Sequence, residues 1–524
     1  MNDKNSSTQP LIVIASNRGP FSFKKRGKSG FSVERGAGGL VTALSALAER
    51  HEVLWVASAM SADDRAWSQA HDGEVEKVEG ISLKLVEPLL EDYEGYYNEI
   101  ANPLLWFIQH QLWDTPRTPS ITKDTWDAWE TGYKPVNKLF AEAIAEVIKA
   151  TGRQTIVLPQ DYHLYMVPHY LRKLVGDEVQ IQPFVHIPWP GPDAWRILPQ
   201  PMRDAILSSL LESDRVGFQT AKDAFNFVQC ARFYLGAHAF GRRDSVEYNG
   251  RHVGAPAYPI SIDAEKLKEI AKEQVTQLER SQLLNSVGDR QVILRVDRVE
   301  PSKNNLRGFQ AYRALLEKHP EHRGKIQMLA LLVPSRMEVG EYQNYLGEIM
   351  AEAGTINAQY SDSIWEPVRI ILGDNYIRAI AAMQLYDVLL VNPLADGMNL
   401  VAKEGVLVNR KNGALVLSEY AGAFYELGEY ALIVSPFDVY GTAEALHTAL
   451  TMSEGERKRR AEALRNIVTR NDVRGWFKAQ VDDALRAFSS QDNKSSTSST
   501  PLAKKSAVSS KASSASSAGV SQPD

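Results

Sequence analysis

Between residues 11 and 488 short, wholly apolar runs closed by turn residues alternate with longer amphipathic stretches. A run that is apolar at every position suits a strand covered on both faces. Repeating that alternation therefore predicts parallel sheets with crossover helices on either side. Buried strands are expected at Leu11 to Ala15, Val53 to Ala57, Thr155 to Leu158, Val292 to Val296, Met328 to Val333, Val388 to Val391 and Ala414 to Leu417. Amphipathic helices are expected at Val136 to Ala150, Asn305 to Lys318, Glu341 to Ala353 and Thr442 to Leu450. Two doubly wound α/β domains follow, residues 11–263 and 264–470, with the boundary after Ile262-Asp263, where a polar helix-like stretch from Ala264 to Ser286 leads to a fresh strand. A last apolar helix, 471–488, carries Trp476 and Phe477 and needs a partner surface, which the first domain can supply.

The ends read differently. Residues 1–10 are polar, without the apolar centre of a signal peptide, and residues 489–524 turn to Ser, Ala and Lys, a composition that cannot offset chain entropy; both are expected to be disordered. A single cysteine, Cys230, rules out an internal disulfide and a cysteine-based zinc site, and no apolar run approaches the roughly 18 residues of a membrane helix. A cytoplasmic protein is expected. With Lys plus Arg at 59 against Asp plus Glu at 64, the net charge of −5 leaves no basic footprint for nucleic acid or an anionic membrane. Any anionic ligand must be met by local cations. The expected partners are small molecules and at most further copies of the chain, as a homo-oligomer.

Such cations stand at a strand end. In Arg295-Val296-Asp297-Arg298-Val299-Glu300-Pro301-Ser302-Lys303, two lie five residues apart before a helix, where free amides also favour anions. The same residues could form an exposed loop in which Arg298 and Lys303 pair with Asp297 and Glu300. A second loop, Leu394-Ala395-Asp396-Gly397-Met398-Asn399-Leu400-Val401, follows the Val388 to Asn392 strand; Asp396-Gly397 can turn into a helix with its amides exposed, and Glu404 can accept from ribose hydroxyls. In the first half, Ser16-Asn17-Arg18-Gly19-Pro20 and the glycine loop Gly36 to Leu40 follow the same logic, without a Walker or dinucleotide fingerprint. Gln160-Asp161-Tyr162-His163 and His186-Ile187-Pro188-Trp189-Pro190 close two further strands.

Taken in order, SNRGP, AGGL, YYNEIANPLLW, QDYHL, HIPWP, GFQT, DRVEPSK and DGMNLVAKE resemble the trehalose-6-phosphate synthases, a retaining family with the GT-B fold, over residues 11 to 488. The form RVDRVEPSKN, in place of ERLDYSKG, resembles the actinobacterial branch. The resemblance implies two Rossmann-like domains facing a central cleft, with the C-terminal helix crossing back to the first. It implies transfer of glucose from a UDP- or GDP-glucose donor to glucose 6-phosphate, giving α,α-trehalose 6-phosphate, with no metal and no cofactor beyond the nucleotide-sugar co-substrate. Arg298 and Lys303 would hold the donor diphosphate, Gly39 would lie beside the β-phosphate, Glu404 would hold the ribose, and Asn399, Leu400 and Val401 would offer backbone contacts. Asp396 and His186 would contact the donor glucose and Asp161 the hydroxyls near the reacting centre. Arg18, Tyr97, Trp106 and Arg336 would form the acceptor pocket. Ser58 stands where many members carry an aromatic, and Ser261 where glycine is common. Rival readings are a pseudo-glycosyltransferase of the validoxylamine-phosphate synthase type, a glucosylglycerol-phosphate synthase, and a non-catalytic sugar-phosphate sensor.

Overall fold

The computed structural model describes residues 10–27, 30–35, 52–241, 243–336 and 340–497. The first sheet has six strands in the order Glu76–Val78, Ile81–Val86, Val53–Ser58, Leu11–Ser16, Thr155–Pro159 and Gln180–Ile181, all parallel except the edge pair Glu76–Val78 and Ile81–Val86. The second, also of six, runs Val368–Leu372, Ile326–Val333, Gln291–Arg298, Val388–Val391, Ala414–Ser418 and Leu432–Val434, with every pair parallel. Central strands such as Leu11–Ser16, Val53–Ser58 and Val388–Val391 are buried at every position, which is why they read as unbroken apolar runs.

Helices close the faces. Lys134–Thr151 buries Val136, Phe140, Ala141, Ile144 and Ile148 and stops at Gly152, whose φ of 58° is left-handed and costs glycine little. Asn305–Lys318 buries Phe309, Tyr312, Leu315 and Leu316 on the second sheet. The helix expected to end at Ala353 runs on from Gly340 to Tyr360, because Ile356 continues the buried stripe. The stretch from Ala264 is two helices, Ala264–Ile270 and Gln274–Val287.

Both sheets belong to one compact unit that ends at Ala484. Either side of Asp263 has its own buried core, one with Val56, Phe140 and Ile206, the other with Phe309, Leu332 and Leu390. The final helix, Val473–Thr497, starts inside that unit and meets the first sheet's side of the molecule: Trp476 lies edge-on to Phe184 at 5.2 Å, and the Tyr258 hydroxyl donates to Asp483 at 2.5 Å. This helix corrects the expectation that order stops at residue 488, since it extends to Thr497. Adding residues to a formed helix costs far less than nucleating one, so weak helix formers can prolong it. The N-terminal residues 1–9, the Gly36 to Leu40 loop with Gly39, and the tail beyond Thr497 lie outside the described residues. Among the described residues no helix is long and apolar enough to cross a membrane.

Candidate active site

In an open α/β sheet the ligand crevice opens where two neighbouring central strands send their connections in opposite directions. In the first sheet Leu11–Ser16 sits between Val53–Ser58 and Thr155–Pro159, which places Asn17 and Arg18 beside Gln160 and Asp161. In the second, Gln291–Arg298 sits between Ile326–Val333 and Val388–Val391, which brings the Val299–Lys303 loop beside Asn392–Asn399. The cation loop and the Asp396 loop, far apart in sequence, thereby become neighbours.

Their side chains join directly. Lys303 Nζ lies 2.5 Å from Asp396 Oδ2, which also accepts from Asn399 Nδ2 at 3.0 Å. Burial pushes the Asp396 carboxyl up, but Lys303, His110 and Asn399 outweigh it and hold it below the ordinary range. Arg298 pairs with Glu300 at 3.3 Å, while Asp297 pairs with Arg295 at 2.9 Å, so of the pairings allowed by sequence only Arg298–Glu300 forms. With its side chain 58% exposed, Arg298 remains open to a ligand. The Leu400–Val408 helix is capped by Asn399, whose side chain accepts from the Ala402 amide at 3.3 Å, rather than opening at Asp396-Gly397. Asn399 reaches that position with φ of 70°, a left-handed conformation that asparagine tolerates. The free amides are therefore those of Leu400 and Val401, in the first turn. Glu404, one turn further on, accepts from Tyr376 Oη at 3.2 Å, and burial raises its carboxyl to about 7.

Facing these groups is an aromatic cage. Tyr97 stacks between Tyr93 at 5.6 Å and His163 at 5.8 Å. The Gly95–Leu105 segment that carries it is a π-helix, a form common at functional sites, and it also supplies Asn102, which accepts from Tyr162 Oη at 2.8 Å. Arg336 crosses from the second sheet's side: Nη1 donates to Tyr342 Oη at 2.6 Å, Nη2 to Tyr162 Oη at 3.3 Å, and the guanidinium lies 4.8 Å over the Trp106 ring. Arg336 also takes a positive φ, 50°. Arg18 is exposed, makes no ion pair among the described residues, and lies close enough to Tyr93 to bear on its hydroxyl. Ser58 is buried and donates to Asn17 Oδ1 at 3.1 Å.

Asp161 and His186 occupy the seam. Asp161 holds φ of 71°, strain that persists because its amide donates to Phe184 O at 2.7 Å and its Oδ1 accepts from the His186 amide at 3.1 Å. Burial raises its carboxyl to about 7, against the backbone amides and Arg336. The His186 ring is committed on both sides. Gln160 Nε2 donates to Leu158 O, which turns its Oε1 to His186 Nε2 at 2.9 Å; Gln219 Oε1 accepts from the Ile260 amide, which turns its Nε2 to His186 Nδ1 at 3.4 Å. His186 is thus neutral with the proton on Nε2, and burial lowers it to about 3. It is the His186 main chain that meets the second sheet's loop: a β-carbon on Gly397 would lie 1.8 Å from the His186 carbonyl oxygen.

The structure brings together Lys303, Asp396, Asn399 and Arg298 on one wall and Tyr97, Trp106 and Arg336 on the other, while Ser261 is buried in the connection between the sheets. Sequence reasoning missed His110 and Tyr342, and read Glu300 only as a partner for the loop cations. Glu300 is held down to about 2: burial raises it, but Arg298, Arg336, Lys303 and His110 lower it further. The His110 ring lies tilted against Trp106 at 4.1 Å with Nδ1 2.8 Å from the Trp106 carbonyl, and burial lowers it to about 4. Tyr342 was hidden because nothing local distinguishes it from a core tyrosine.

The chain is similar to known proteins over most of its length. A trehalose-6-phosphate synthase from Mycolicibacterium paratuberculosis is 34% identical over 482 residues, spanning 90% of this chain and 94% of the relative. A bifunctional trehalose-6-phosphate synthase/phosphatase from Thermoproteus tenax is 32% identical over 92% of this chain, which spans 64% of that longer protein. An E. coli structure bound with UDP-2-fluoro glucose superposes with a TM-score of 0.78 at 31% identity, covering 90% of this chain and 98% of the other. The sequence pattern of glycosyltransferase family 20 matches residues 10–486, and the chain belongs to that family.

Proposed function

We propose that the chain transfers glucose, with retention, from a nucleoside diphosphate glucose to glucose 6-phosphate, forming α,α-trehalose 6-phosphate. The observation that carries this reading is the pair of facing clusters: a lysine, an exposed arginine and free helix amides on one wall, and an arginine set among aromatic rings on the other. The solved relatives support it, one bound with UDP-2-fluoro glucose and another, from Burkholderia xenovorans at 28% identity and a TM-score of 0.78, in complex with glucose-6-phosphate. UDP-glucose is the first donor to test, since the fission-yeast relative, 30% identical, is named UDP-forming.

In this reading Arg298, Lys303 and the Leu400 and Val401 amides countercharge the leaving diphosphate, the largest contribution in such a transition state, and no divalent ion is assigned to transfer. Asn399 sets those amides by capping their helix, and Glu404 accepts from the ribose. Asp396 and the His186 main chain line the donor glucose, with Asp161 at the hydroxyls near the reacting carbon. Gly39 would approach the β-phosphate. Arg18 and Arg336 grip the acceptor phosphate as a fork, with Tyr97 and Trp106 walling the sugar. The C1–O bond to the diphosphate breaks, the acceptor's anomeric oxygen bonds to C1 on the same face, and its proton passes to a leaving phosphate oxygen.

Nucleoside diphosphate release and product formation, measured with UDP-, GDP- and ADP-glucose against glucose 6-phosphate and glycerol 3-phosphate, test the proposal. Trehalose 6-phosphate formed only with glucose 6-phosphate supports it. Turnover confined to glycerol 3-phosphate, or substrate binding without nucleotide release, refutes it.

A further inference from the structure

At the end of the Asn305–Lys318 helix remote from the cation loop, a second cluster stands apart from the substrate cleft. His319, Glu321 and His322 leave that helix as a 3-10 turn, and the neighbouring Val439–Thr451 helix presents Glu444 and His447 three residues apart on one face. The imidazoles of His319 and His447 stack at 3.7 Å and 10°. One ligating atom each from His319, Glu321 and His447 lies within 4.8 Å of the others.

The hydrogen bonds show which nitrogens an ion would use. His319 Nε2 donates to Glu444 Oε1 at 3.1 Å, while Nδ1 faces Glu321 Oε1 at 3.3 Å, a contact in which a metal ion would take the place of the shared proton. His447 Nδ1 faces His322 Nε2 at 3.0 Å. With the His447 proton on Nδ1, donated to His322 Nε2, His447 Nε2 is the nitrogen left open. A histidine that binds a metal through one nitrogen typically donates from the other to a fixed acceptor, and both histidines here have one, Glu444 and His322. Lys318 neutralises Glu444 at 2.8 Å, so Glu444 orients His319 rather than adding a second ligating carboxylate.

We propose that His319, Glu321 and His447 form a binding site for a divalent transition metal of the zinc class, which pins the C-terminal end of Asn305–Lys318 to Val439–Thr451. Two imidazoles and a carboxylate suit zinc, cobalt or nickel over magnesium or calcium, and water would complete a four-coordinate ion. The site is structural. The other end of the same helix pair is already tied by Asn304 Nδ2 donating to Pro436 O at 2.7 Å, so the ion would hold both ends beneath the Lys303 loop without touching substrate.

The test uses the full-length, tag-free chain stripped with a chelator, titrated with cobalt(II) and then competed with zinc(II). The expected result is one cobalt per chain with the visible absorption of a four-coordinate ion, displaced by zinc, and a higher melting temperature with either metal. His319→Ala and His447→Ala should each weaken binding at least ~100-fold, and Glu444→Gln about 10–100-fold, as expected for a residue that orients a ligating histidine. Circular dichroism and glucosyl transfer of the stripped variants should match the stripped parent. Exposed Glu321→Gln provides a variant in which folding is not at issue, and it too should lose affinity. Absence of binding at roughly 100 μM cobalt, or unchanged affinity in His319→Ala/His447→Ala, overturns the assignment.

Discussion

Replacing Lys303 by Met removes one half of a short, enclosed ion pair and leaves Asp396 with Asn399 Nδ2, at 3.0 Å, as its remaining side-chain donor. Breaking a fully buried pair from one side costs about 3–5 kcal/mol; with side chains here 16% and 14% exposed, about 2–3 kcal/mol is expected. Loss of the charge facing the leaving diphosphate should independently lower kcat by about 10²- to 10³-fold. Adding Asp396→Asn separates the two effects. The double variant no longer strands a carboxylate and should regain most of the lost stability, a coupling of about 2 kcal/mol, while turnover stays low. Urea midpoints report the first quantity and nucleotide release the second. Near-normal turnover in folded Lys303→Met refutes the diphosphate role; additive stability losses refute the pair; recovered turnover in the double variant shows that Lys303 serves only to hold Asp396. The pair also has a pH window. Asp396 is depressed below 3.8, so its contribution is present above that value and disappears as pH falls through the folded-state value. Lys303 is raised above 10.5, burial opposing Asp396 and Glu300, so its contribution is complete below 10.5 and disappears at higher pH.

Asp161 runs the other way: burial raises it from 3.8 to about 7, so its ionised form destabilises the fold increasingly as pH climbs through that interval. Asp161→Asn should therefore be more stable than the parent at pH near 8, on the order of 2–4 kcal/mol, with the difference vanishing near pH 4 in chemical denaturation. Gly397→Ala places a methyl 1.8 Å from the His186 carbonyl oxygen; about 1–3 kcal/mol of stability and most of the turnover should be lost, read by thermal melting and product formation. Arg336→Lys keeps the charge but loses the planar reach to Tyr342 and Tyr162 and the contact over Trp106. The KM for glucose 6-phosphate should rise at least about tenfold, as for one lost charged hydrogen bond, with the donor KM nearly unchanged in initial-rate kinetics.

What was legible in the sequence follows from where each signal resides. The central strands are buried on both faces, so each is an apolar run, and the polar residues that end them are the ones the topology turns into the crevice. Edge elements escaped because they are short or half-wet: Gln180–Ile181 has two residues, and Leu432–Val434 has three with Ile433 exposed. The start of the Leu400–Val408 helix was misplaced because Asp396 and Asn399 are both good caps by composition. The choice is settled by the Lys303–Asp396 pair, which occupies the aspartate and leaves the asparagine to bind the Ala402 amide. Arg336 could be assigned by resemblance, yet its reach to Tyr162 spans 174 residues and leaves no local trace.

Glu300 explains how a chain of net charge −5 can gather two phosphate-bearing ligands. Its carboxylate is 3% exposed, accepts from Ser335 Oγ at 3.1 Å, and is kept ionised by Arg298, Arg336 and Lys303 together. Arginines from both walls thus bear on one buried anion, which restrains cations that would otherwise repel one another across a narrow cleft. It does not neutralise them: Arg18, Arg298, Lys303 and Arg336 outnumber Glu300 and Asp396 by two, and Asp161 and Glu404, each raised to about 7, add only part of a charge apiece around neutral pH. The local sign is therefore opposite to that of the whole chain. Low-dielectric walls strengthen that excess, and an arriving diphosphate would meet cations already positioned by a shared carboxylate.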